Sequence, residues 1–314
     1  MHTPDLAMGI IWYIVFLFST TCHEASHALA AKIGGDTTAF EGGQVTLNPV
    51  PHLRRSPFGM VVVPIVSFLL AGWMVGWASA PFDPAWQRRY PRRSAWMALA
   101  GPAANFALML LAAVAIRIGV AAGYFSPPAH IASYAKLTVA AHSTVPALIP
   151  AALSILFILN LLLGTFNLLP VPPLDGHAAI MVLMPEQKAL RYLDWTRDSG
   201  YALLGLIVAW TVYGRMFNRI FLLGLRLLYP GIHCFYIETC FPNSPLAAAS
   251  NSCERSCECE SNCSFRPVRI GTDRARCRRA GRLAPPEELA RVVAFRSAQA
   301  YVLKRFKVGN ENSS

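Results

Sequence analysis

The fold is decided by residues 6–33, which read LAMGIIWYIVFLFSTTCHEASHALAAKI. A helix of that length, at about 1.5 Å per residue, spans the roughly 30 Å of hydrocarbon in a lipid bilayer. The segment lacks the basic start and the cleavage site of a secretory signal, because it runs directly into the motif His-Glu-Ala-Ser-His at residues 23–27. Gly34 and Gly35 predict the end of the helix. We therefore expect a membrane-spanning helix with three ionisable side chains near its second end.

The composition of the whole chain also indicates a membrane protein. The 314 residues are 54% hydrophobic and 14% charged, with a mean hydropathy of +0.39, whereas about a quarter of the residues in soluble domains are charged. Disordered, collagen-like and small disulfide-rich classes are excluded. Lys and Arg outnumber Asp and Glu by 28 to 17, which in a membrane protein indicates loops held on the cytoplasmic side. We expect a lipid bilayer and no nucleic acid among the partners.

Three further segments are apolar and long enough to cross the bilayer. Residues 94–116 and 147–169 are each predicted to be a single span. Residues 201–228 are interrupted by arginines, so they fit either one tilted span or a half-span followed by an interfacial helix. The pattern predicts an all-α polytopic membrane protein with its core over residues 1–230.

The polar segment 36–56 follows the first span. Its Gly42 and Gly43 are typical of a tight turn, and residues 44–47 alternate as a strand does. We expect a short β-hairpin region there.

The motif at residues 23–27 predicts a metal site. His23 and His27 are one turn apart on the same helical face, so both rings can reach one cation with Glu24 beside it. This arrangement is typical of zinc proteases, in which three protein ligands leave the fourth position to water. The alternative is that both histidines only pack within a helix bundle. That alternative is less favoured, because ionisable groups are costly in hydrocarbon.

Asp175 is the candidate for the missing third ligand. It follows a spanning segment and a run of prolines that ends the helix, and it precedes Gly176, which allows a sharp turn. Most such turns are only structural. The case for Asp175 as a ligand rests on topology. Asp175 can meet His27 only if an even number of complete membrane crossings separates them.

Residues 60–80 decide that count, because they are apolar enough to look like another crossing. A third crossing would put Asp175 on the wrong side of the membrane. Pro64, Gly72 and Gly76 weaken a straight helix, and a protein-shielded hairpin is tolerated in the membrane. We therefore expect a re-entrant segment, which also leaves the arginine-rich loops on the cytoplasmic side.

These motifs together resemble the site-2 protease family of intramembrane zinc metalloproteases, over about residues 6–230. The stretch Thr-Leu-Asn-Pro at residues 46–49, with His52, is similar to the compact bacterial and archaeal subgroup without PDZ or CBS domains. Three motifs carry the resemblance: His-Glu-Ala-Ser-His at 23–27, Gly-Pro-Ala-Ala-Asn at 101–105, and Phe-Asn-Leu-Leu-Pro through Leu-Asp-Gly at 166–176.

The resemblance implies a role for each matching residue. His23, His27 and Asp175 are expected to bind one Zn²⁺ per chain, with Glu24 as the catalytic base. Asn167 is expected to orient the substrate or steady the oxyanion, its alternative being to cap the helix end before Pro170.

The activity implied by the resemblance is cleavage of membrane-anchored proteins in or near their transmembrane helices. The expected location is the cell membrane, as a multi-pass protein whose active site lies toward the cytoplasm. Two other functions remain as alternatives, a catalytically inactive relative that binds membrane helices and a metal transporter. A transporter has no need of a glutamate between two helical histidines.

Two histidines mark departures from the family pattern. After His52 the subgroup usually has an acidic residue, and this chain has arginines. His52 is interpreted as a residue that orders its loop. His177 stands where the family prefers a small residue, and it could crowd the metal or add a fourth nitrogen.

The tail over residues 231–314 is rich in Ser, Cys, Arg and Pro and is expected to be partly disordered. The spacing of its cysteines fits a structural metal, a disulfide cluster, or an unstructured or wrongly predicted reading frame. Residues 286–308 fit an amphipathic basic helix on a membrane surface or an ordinary solvated helix. The clustered cysteines are Cys253, Cys257, Cys259 and Cys263.

Overall fold

The computed structural model describes residues 5–128, 131, 133–196 and 199–230. The expectations for the tail, including its cysteine cluster, lie outside these residues. The helices are α1 (Leu6–Gly34), α2 (Thr38–Glu41), α3 (Pro49–Arg55), α4 (Val63–Ala71), α5 (Pro84–Arg89), α6 (Pro91–Ala121), α7 (Leu148–Asn167), α8 (Asp175–Ala179), α9 (Glu186–Thr196) and α10 (Ser199–Leu228).

Shorter elements join these helices. A wide helical turn over Phe58–Val62 leads into α4, and tighter turns lie at Tyr134–Lys136 and Ile180–Leu183. Strands β1 (Phe125–Ser126) and β2 (Val139–Ala140) form a small antiparallel sheet between α6 and α7.

Four helices in the described part of the chain are long and apolar enough to cross a membrane. They coincide with the four segments predicted from the sequence, and the protein is an integral membrane protein. The last is one continuous helix, so the alternative of a half-span followed by an interfacial helix is wrong. The four are Leu6–Gly34, Pro91–Ala121, Leu148–Asn167 and Gly205–Leu228.

The core forms where α1, α6 and α7 pack against one another. The buried face of α6 includes the small residues Ala98, Gly101 and Ala112, and Gly101 lies directly against the rings of His23 and His27 on α1. Small side chains let helix backbones approach closely in lipid, where there is no hydrophobic force between helices. The opposite face of α6 exposes large apolar side chains such as Leu111 and Ile118, as a lipid-facing surface requires.

The first helix begins and ends as its sequence predicts. The Asp5 carboxylate accepts hydrogen bonds from the backbone N–H groups of Ala7 and Met8, at 3.0 and 3.3 Å. At the other end Gly35 has φ of 99°, and its N–H donates back to the last turn. Gly34 is the last helical residue, so the prediction that the two glycines end α1 is confirmed.

Asp36 ties this end of α1 to a distant loop. Its carboxylate accepts hydrogen bonds from the backbone N–H and the hydroxyl of Thr38, at 3.0 and 2.6 Å. It also accepts one from the backbone N–H of Asp83, at 2.8 Å. Asp36 is buried although it is charged. One carboxylate thus joins α1 to the chain that enters α5.

The β-hairpin expected within residues 36–56 is wrong. The chain forms α2, then a bend over residues 45–47, and then α3. Local capping explains the difference: the Asn48 side chain accepts from the N–H of Val50 at 3.0 Å, and Pro49 opens the helix. Gly43, with φ of 69°, follows the end of α2. The small sheet of this protein lies between α6 and α7.

The segment over residues 60–80 folds back on itself, as expected of a re-entrant segment. After α4 the chain turns at Gly72, with φ of 76°, and returns without regular secondary structure. The N–H of Trp77 donates to the carbonyl of Gly59 at 3.1 Å, which joins the two arms. A Cβ on Gly59 would lie 2.2 Å from the Trp77 carbonyl oxygen, so only glycine permits this approach. The contact between its two arms favours a re-entrant segment over a complete crossing.

Candidate metal centre

Three side chains converge in the core where α1, α6 and α8 meet. His23 and His27 project from α1, and Asp175 is the first residue of α8. The two Nε2 atoms are 3.0 Å apart. Oδ2 of Asp175 lies 3.1 Å from Nε2 of His23 and 3.3 Å from Nε2 of His27. Three potential metal-ligand atoms therefore form a nearly equilateral triangle.

The chain between α7 and α8 delivers the carboxylate. α7 ends at Asn167, and the next residues turn sharply before Asp175. Gly176 packs against this turn: a Cβ there would lie 2.3 Å from the carbonyl oxygen of Leu168 and 2.4 Å from that of Leu169. A larger residue would push α8, and with it Asp175, away from α1.

Gly101 brings α6 against the two histidine rings. A Cβ at this position would lie 2.3 Å from Nε2 of His27 and 2.6 Å from Nε2 of His23. The missing side chain therefore leaves room at the point where the two ring nitrogens meet.

The triangle fits a zinc ion. Three atoms each about 2.0–2.1 Å from a tetrahedral zinc are about 3.3 Å from one another, close to the distances found here. Nδ1 of His27 lies 2.8 Å from the backbone carbonyl of Met97, and because a carbonyl only accepts, Nδ1 carries the hydrogen.

The hydrogen on Nδ1 determines what the other ring nitrogen offers. A neutral His27 ring presents a lone pair at Nε2, directed at Asp175. The buried Oδ2 of Asp175 has no hydrogen-bond partner within the described ranges. A cation satisfies both groups at once.

Glu24 and Asn167 are close in sequence to the residues of this triangle. Glu24 follows His23 on α1 and is 5% exposed. Asn167 is the last residue of α7 and half-buried, eight positions before Asp175. Both belong to the end of the helix bundle that carries the three potential ligand atoms.

The two histidines that depart from the family pattern face other parts of the molecule. Nε2 of His52 lies 3.1 Å from the carbonyl oxygen of Thr46, and the ring is buried, so it orders the loop before α3. His177 turns toward α9: its Nε2 lies 2.7 Å from the Thr196 hydroxyl, and its ring packs against Tyr192. The expectation that His177 crowds the metal or adds a fourth nitrogen is therefore not met.

Sequence reasoning missed two asparagines. It gives residues 101–105 only as a family motif, yet Oδ1 of Asn105 lies 2.6 Å from Nδ1 of His23. Asn160 on α7 is hydrogen-bonded to Asn105 at 2.8 Å. The available signal was the presence of amide side chains in the middle of spanning segments, where polar groups are costly and have defined partners.

The chain matches a known family and several named proteins. The model of Peptidase family M50 matches residues 11–206. A Bacillus subtilis protein named "Putative zinc metalloprotease YwhC" is 35% identical over 173 residues, which are 55% of this chain and 68% of that protein.

More distant relatives carry a related name, "Putative zinc metalloprotease Rip2". The Mycolicibacterium smegmatis protein is 28% identical over 191 residues, 60% of this chain and 64% of its own length. The Mycobacterium tuberculosis protein is 31% identical over 178 residues, 56% of this chain and 58% of its own length. The chain thus spans somewhat under two thirds of these two relatives. Among solved structures, none matches the chain significantly.

Proposed function

The chain belongs to peptidase family M50, the site-2 protease family of membrane zinc metalloproteases, and we propose that it hydrolyses peptide bonds in or near the transmembrane helices of membrane-anchored proteins. The observation that carries the proposal is the convergence of two imidazole nitrogens and a carboxylate oxygen inside a bundle of spanning helices. Ionisable groups are costly to bury in hydrocarbon, so such a cluster within a membrane indicates a functional site.

In this proposal His23, His27 and Asp175 hold one zinc ion per chain. Zinc supplies a Lewis acid for the scissile carbonyl and lowers the pKa of a ligated water to about 7. The protein contributes a fixed triangle of three ligand atoms, one fewer than the four positions of a tetrahedral zinc.

Glu24 serves as the general base. It lies on α1 between the two proposed ligands and is buried, so its carboxylate acts where water is scarce. It takes a proton from the attacking water and passes it to the leaving amine.

Asn167 serves as the donor to the carbonyl oxygen of the substrate. Its amide lies at the end of α7, where the helix stops and the chain turns toward Asp175. Loss of one such donor typically costs about 2.7–4 kcal/mol of transition-state stabilisation.

The substrate must meet a physical condition. Every backbone amide and carbonyl of a transmembrane helix is already paired, so the helix has to unwind before a peptide bond reaches the site. We expect preferred substrates to contain helix-weakening residues such as Gly, Pro or Asn near the cleaved bond.

The depth and the charges of the bundle favour cleavage toward the cytoplasmic side. His27 lies seven residues before Gly34, the last residue of α1, which is about 10 Å along the axis. The segment that follows α1 is rich in arginines, which lie in α3, in α5 and in the first turn of α6. Positively charged loops are retained on the cytoplasmic side, so the site belongs to the inner half of the bilayer.

The test compares the parent with Glu24→Gln and Asp175→Asn on a panel of single-span substrates in detergent or liposomes. Glu24→Gln should retain zinc and lose at least about a hundredfold in cleavage rate, since it keeps the shape but not the base. Asp175→Asn should lose zinc. Glu186→Gln, the same change at an exposed position on α9, should behave as the parent.

The same panel separates the alternative functions. A parent that binds substrate without cutting it would be an inactive relative. If the parent and Glu24→Gln move zinc equally well across liposome membranes, the protein is a transporter. Zinc content unchanged in Asp175→Asn would remove Asp175 from the ligand set.

A further inference from the structure

A chain of buried hydrogen bonds runs from the metal centre across all three core helices. Nδ1 of His23 lies 2.6 Å from Oδ1 of Asn105, and Nδ2 of Asn105 lies 2.8 Å from Oδ1 of Asn160. Nδ2 of Asn160 lies 2.9 Å from the Ser19 hydroxyl and 2.8 Å from the carbonyl oxygen of Leu156. Ser19, Asn105 and Asn160 are fully buried.

The carbonyl of Leu156 gives this chain a direction. A carbonyl oxygen can only accept, so the amide nitrogen of Asn160 must face it. Oδ1 of Asn160 then faces Asn105 and must accept, which requires the amide nitrogen of Asn105 to be the donor. The reverse orientation would set two oxygens against each other in a low-dielectric interior, where an unmade hydrogen bond is expensive.

The direction reaches the histidine ring. With its nitrogen committed to Asn160, Asn105 presents only Oδ1 to His23, so Nδ1 of His23 must carry the hydrogen. The neutral ring then has its lone pair at Nε2, directed at Asp175. His27 reaches the same tautomer through the carbonyl of Met97. Both rings therefore present an acceptor nitrogen to the centre of the triangle.

We propose that Asn105 and Asn160 are positioning residues, which hold His23 in the tautomer and ring orientation that bind the metal. The inference rests on the metal site of the proposed function and assigns roles to two residues outside it. Hydrogen-bond partners behind histidine ligands typically change metal affinity by about 10–100-fold when they are lost.

Leucine variants remove the hydrogen-bonding atoms while keeping the branched outline of the side chain. Asn105→Leu should weaken zinc binding about 10–100-fold, because Nδ1 of His23 loses its acceptor. Asn160→Leu should weaken it less, by about threefold or more, because Asn105 remains but its amide is free to turn. Asn105→Asp, as the neutral acid, keeps both an acceptor for His23 and an O–H donor for Oδ1 of Asn160, and should recover most of the affinity lost in Asn105→Leu.

Ser154→Ala is the matched control. Ser154 lies on α7 with Asn160 and is equally buried. It is hydrogen-bonded to Pro150 and Thr138, but not to His23, Asn105 or Asn160. Its substitution should lower thermal stability without changing zinc affinity. A merely structural role of the asparagines would give the same result for their variants.

The measurement is competition for zinc between a chelator of known affinity and the purified full chain in detergent. The visible spectrum of the Co²⁺-substituted protein and thermal unfolding accompany it. Leucine variants with the affinity and spectrum of Ser154→Ala would overturn the proposal, as would equal losses in Asn105→Asp and Asn105→Leu.

Failure of the underlying metal site looks different from failure of this inference. A parent chain that binds neither Zn²⁺ nor Co²⁺ would refute the proposed function itself. If Asn105→Leu does not fold, Asn105→Asp and Asn160→Leu decide: parent-like binding in Asn160→Leu contradicts a positioning role, and a loss of about threefold or more in that variant supports it.

Discussion

At the scale of single residues, Gly101 sets how closely α6 can approach the proposed ligands. We predict that Gly101→Ala lowers zinc affinity at least about tenfold, because its Cβ would lie 2.3 Å from Nε2 of His27 and 2.6 Å from Nε2 of His23. The rings cannot turn aside without breaking their hydrogen bonds to Met97 and Asn105. Equilibrium zinc titration of the purified variant measures the loss.

Gly214→Ala provides the control for this substitution. It makes the same chemical change in a spanning helix, but no atom lies within 4 Å of its added Cβ. It should bind zinc as the parent does. If Gly101→Ala also binds zinc as the parent does, the approach of α6 is not what shapes the site.

The residues that could be predicted are those whose geometry is local. His23, Glu24 and His27 follow from the helical period alone. Asp175 required an argument about membrane crossings, and the structure places it against both histidines. The partners behind the ligands could not be predicted, because Asn105 meets His23 only once three helices have packed.

At the scale of elements, Asp36 shows how one buried carboxylate joins α1 to the loop before α5. Burial raises the pKa of this carboxyl, but hydrogen bonds from the Thr38 hydroxyl and from the N–H groups of Thr38 and Asp83 outweigh it. They hold the pKa below its ordinary value of 3.8. The folded state therefore binds its proton less readily than the unfolded chain.

We predict that Asp36→Ala lowers the free energy of unfolding by about 1–3 kcal/mol at neutral pH, because three donors lose a charged acceptor. The stabilisation by Asp36 is complete above the ordinary pKa of 3.8 and is lost as the pH falls through the lower pKa of the folded state. The parent and the variant should therefore converge in strong acid. Unfolding in detergent as a function of pH measures both effects.

Asp194→Ala is the matched control for burial. The Asp194 side chain is 51% exposed and pairs with Arg88, and exposed ion pairs typically contribute only about 0–1 kcal/mol. A cost for Asp194→Ala equal to that for Asp36→Ala would show that burial is not the cause.

The elements that sequence reasoning placed correctly are the long ones. Spans are recognised because lipid requires about 20 apolar residues in succession. The prediction of a four-residue strand at 44–47 was wrong because the following residues favour a helix. The Asn48 cap and Pro49 start α3 directly after this segment. Short segments take their conformation from such local hydrogen bonds rather than from alternation of polarity.

At the scale of the whole molecule, the bundle has two ends that differ in the side chains they carry. One end holds the triangle of His23, His27 and Asp175, and there α1 stops, α6 begins and α7 stops. The chain that links α1 to α6 at this end carries arginines. The other end holds the small sheet. This polarity predicts which loops face the cytoplasm.

We predict that a cysteine at position 47 is labelled by a membrane-impermeant maleimide only after cells are opened, and that one at position 124 is labelled in intact cells. The variants are Leu47→Cys and Tyr124→Cys, in a chain whose 8 natural cysteines are replaced by serine. Both positions are exposed, at 64% and 59%. The reverse labelling pattern would place the site toward the outside.

The distance in sequence between the converging side chains bears on how the protein is made. His27 lies in α1 and Asp175 follows α7, so on the order of 150 residues must be translated between them, which takes about 7–30 s at 5–20 residues per second. Two imidazoles are one protein ligand short of a catalytic zinc site. With the proposed ligand set, a ribosome that stalls before α7 emerges leaves a chain that lacks its third zinc ligand, and hydrolytic competence arrives together with completion of the bundle.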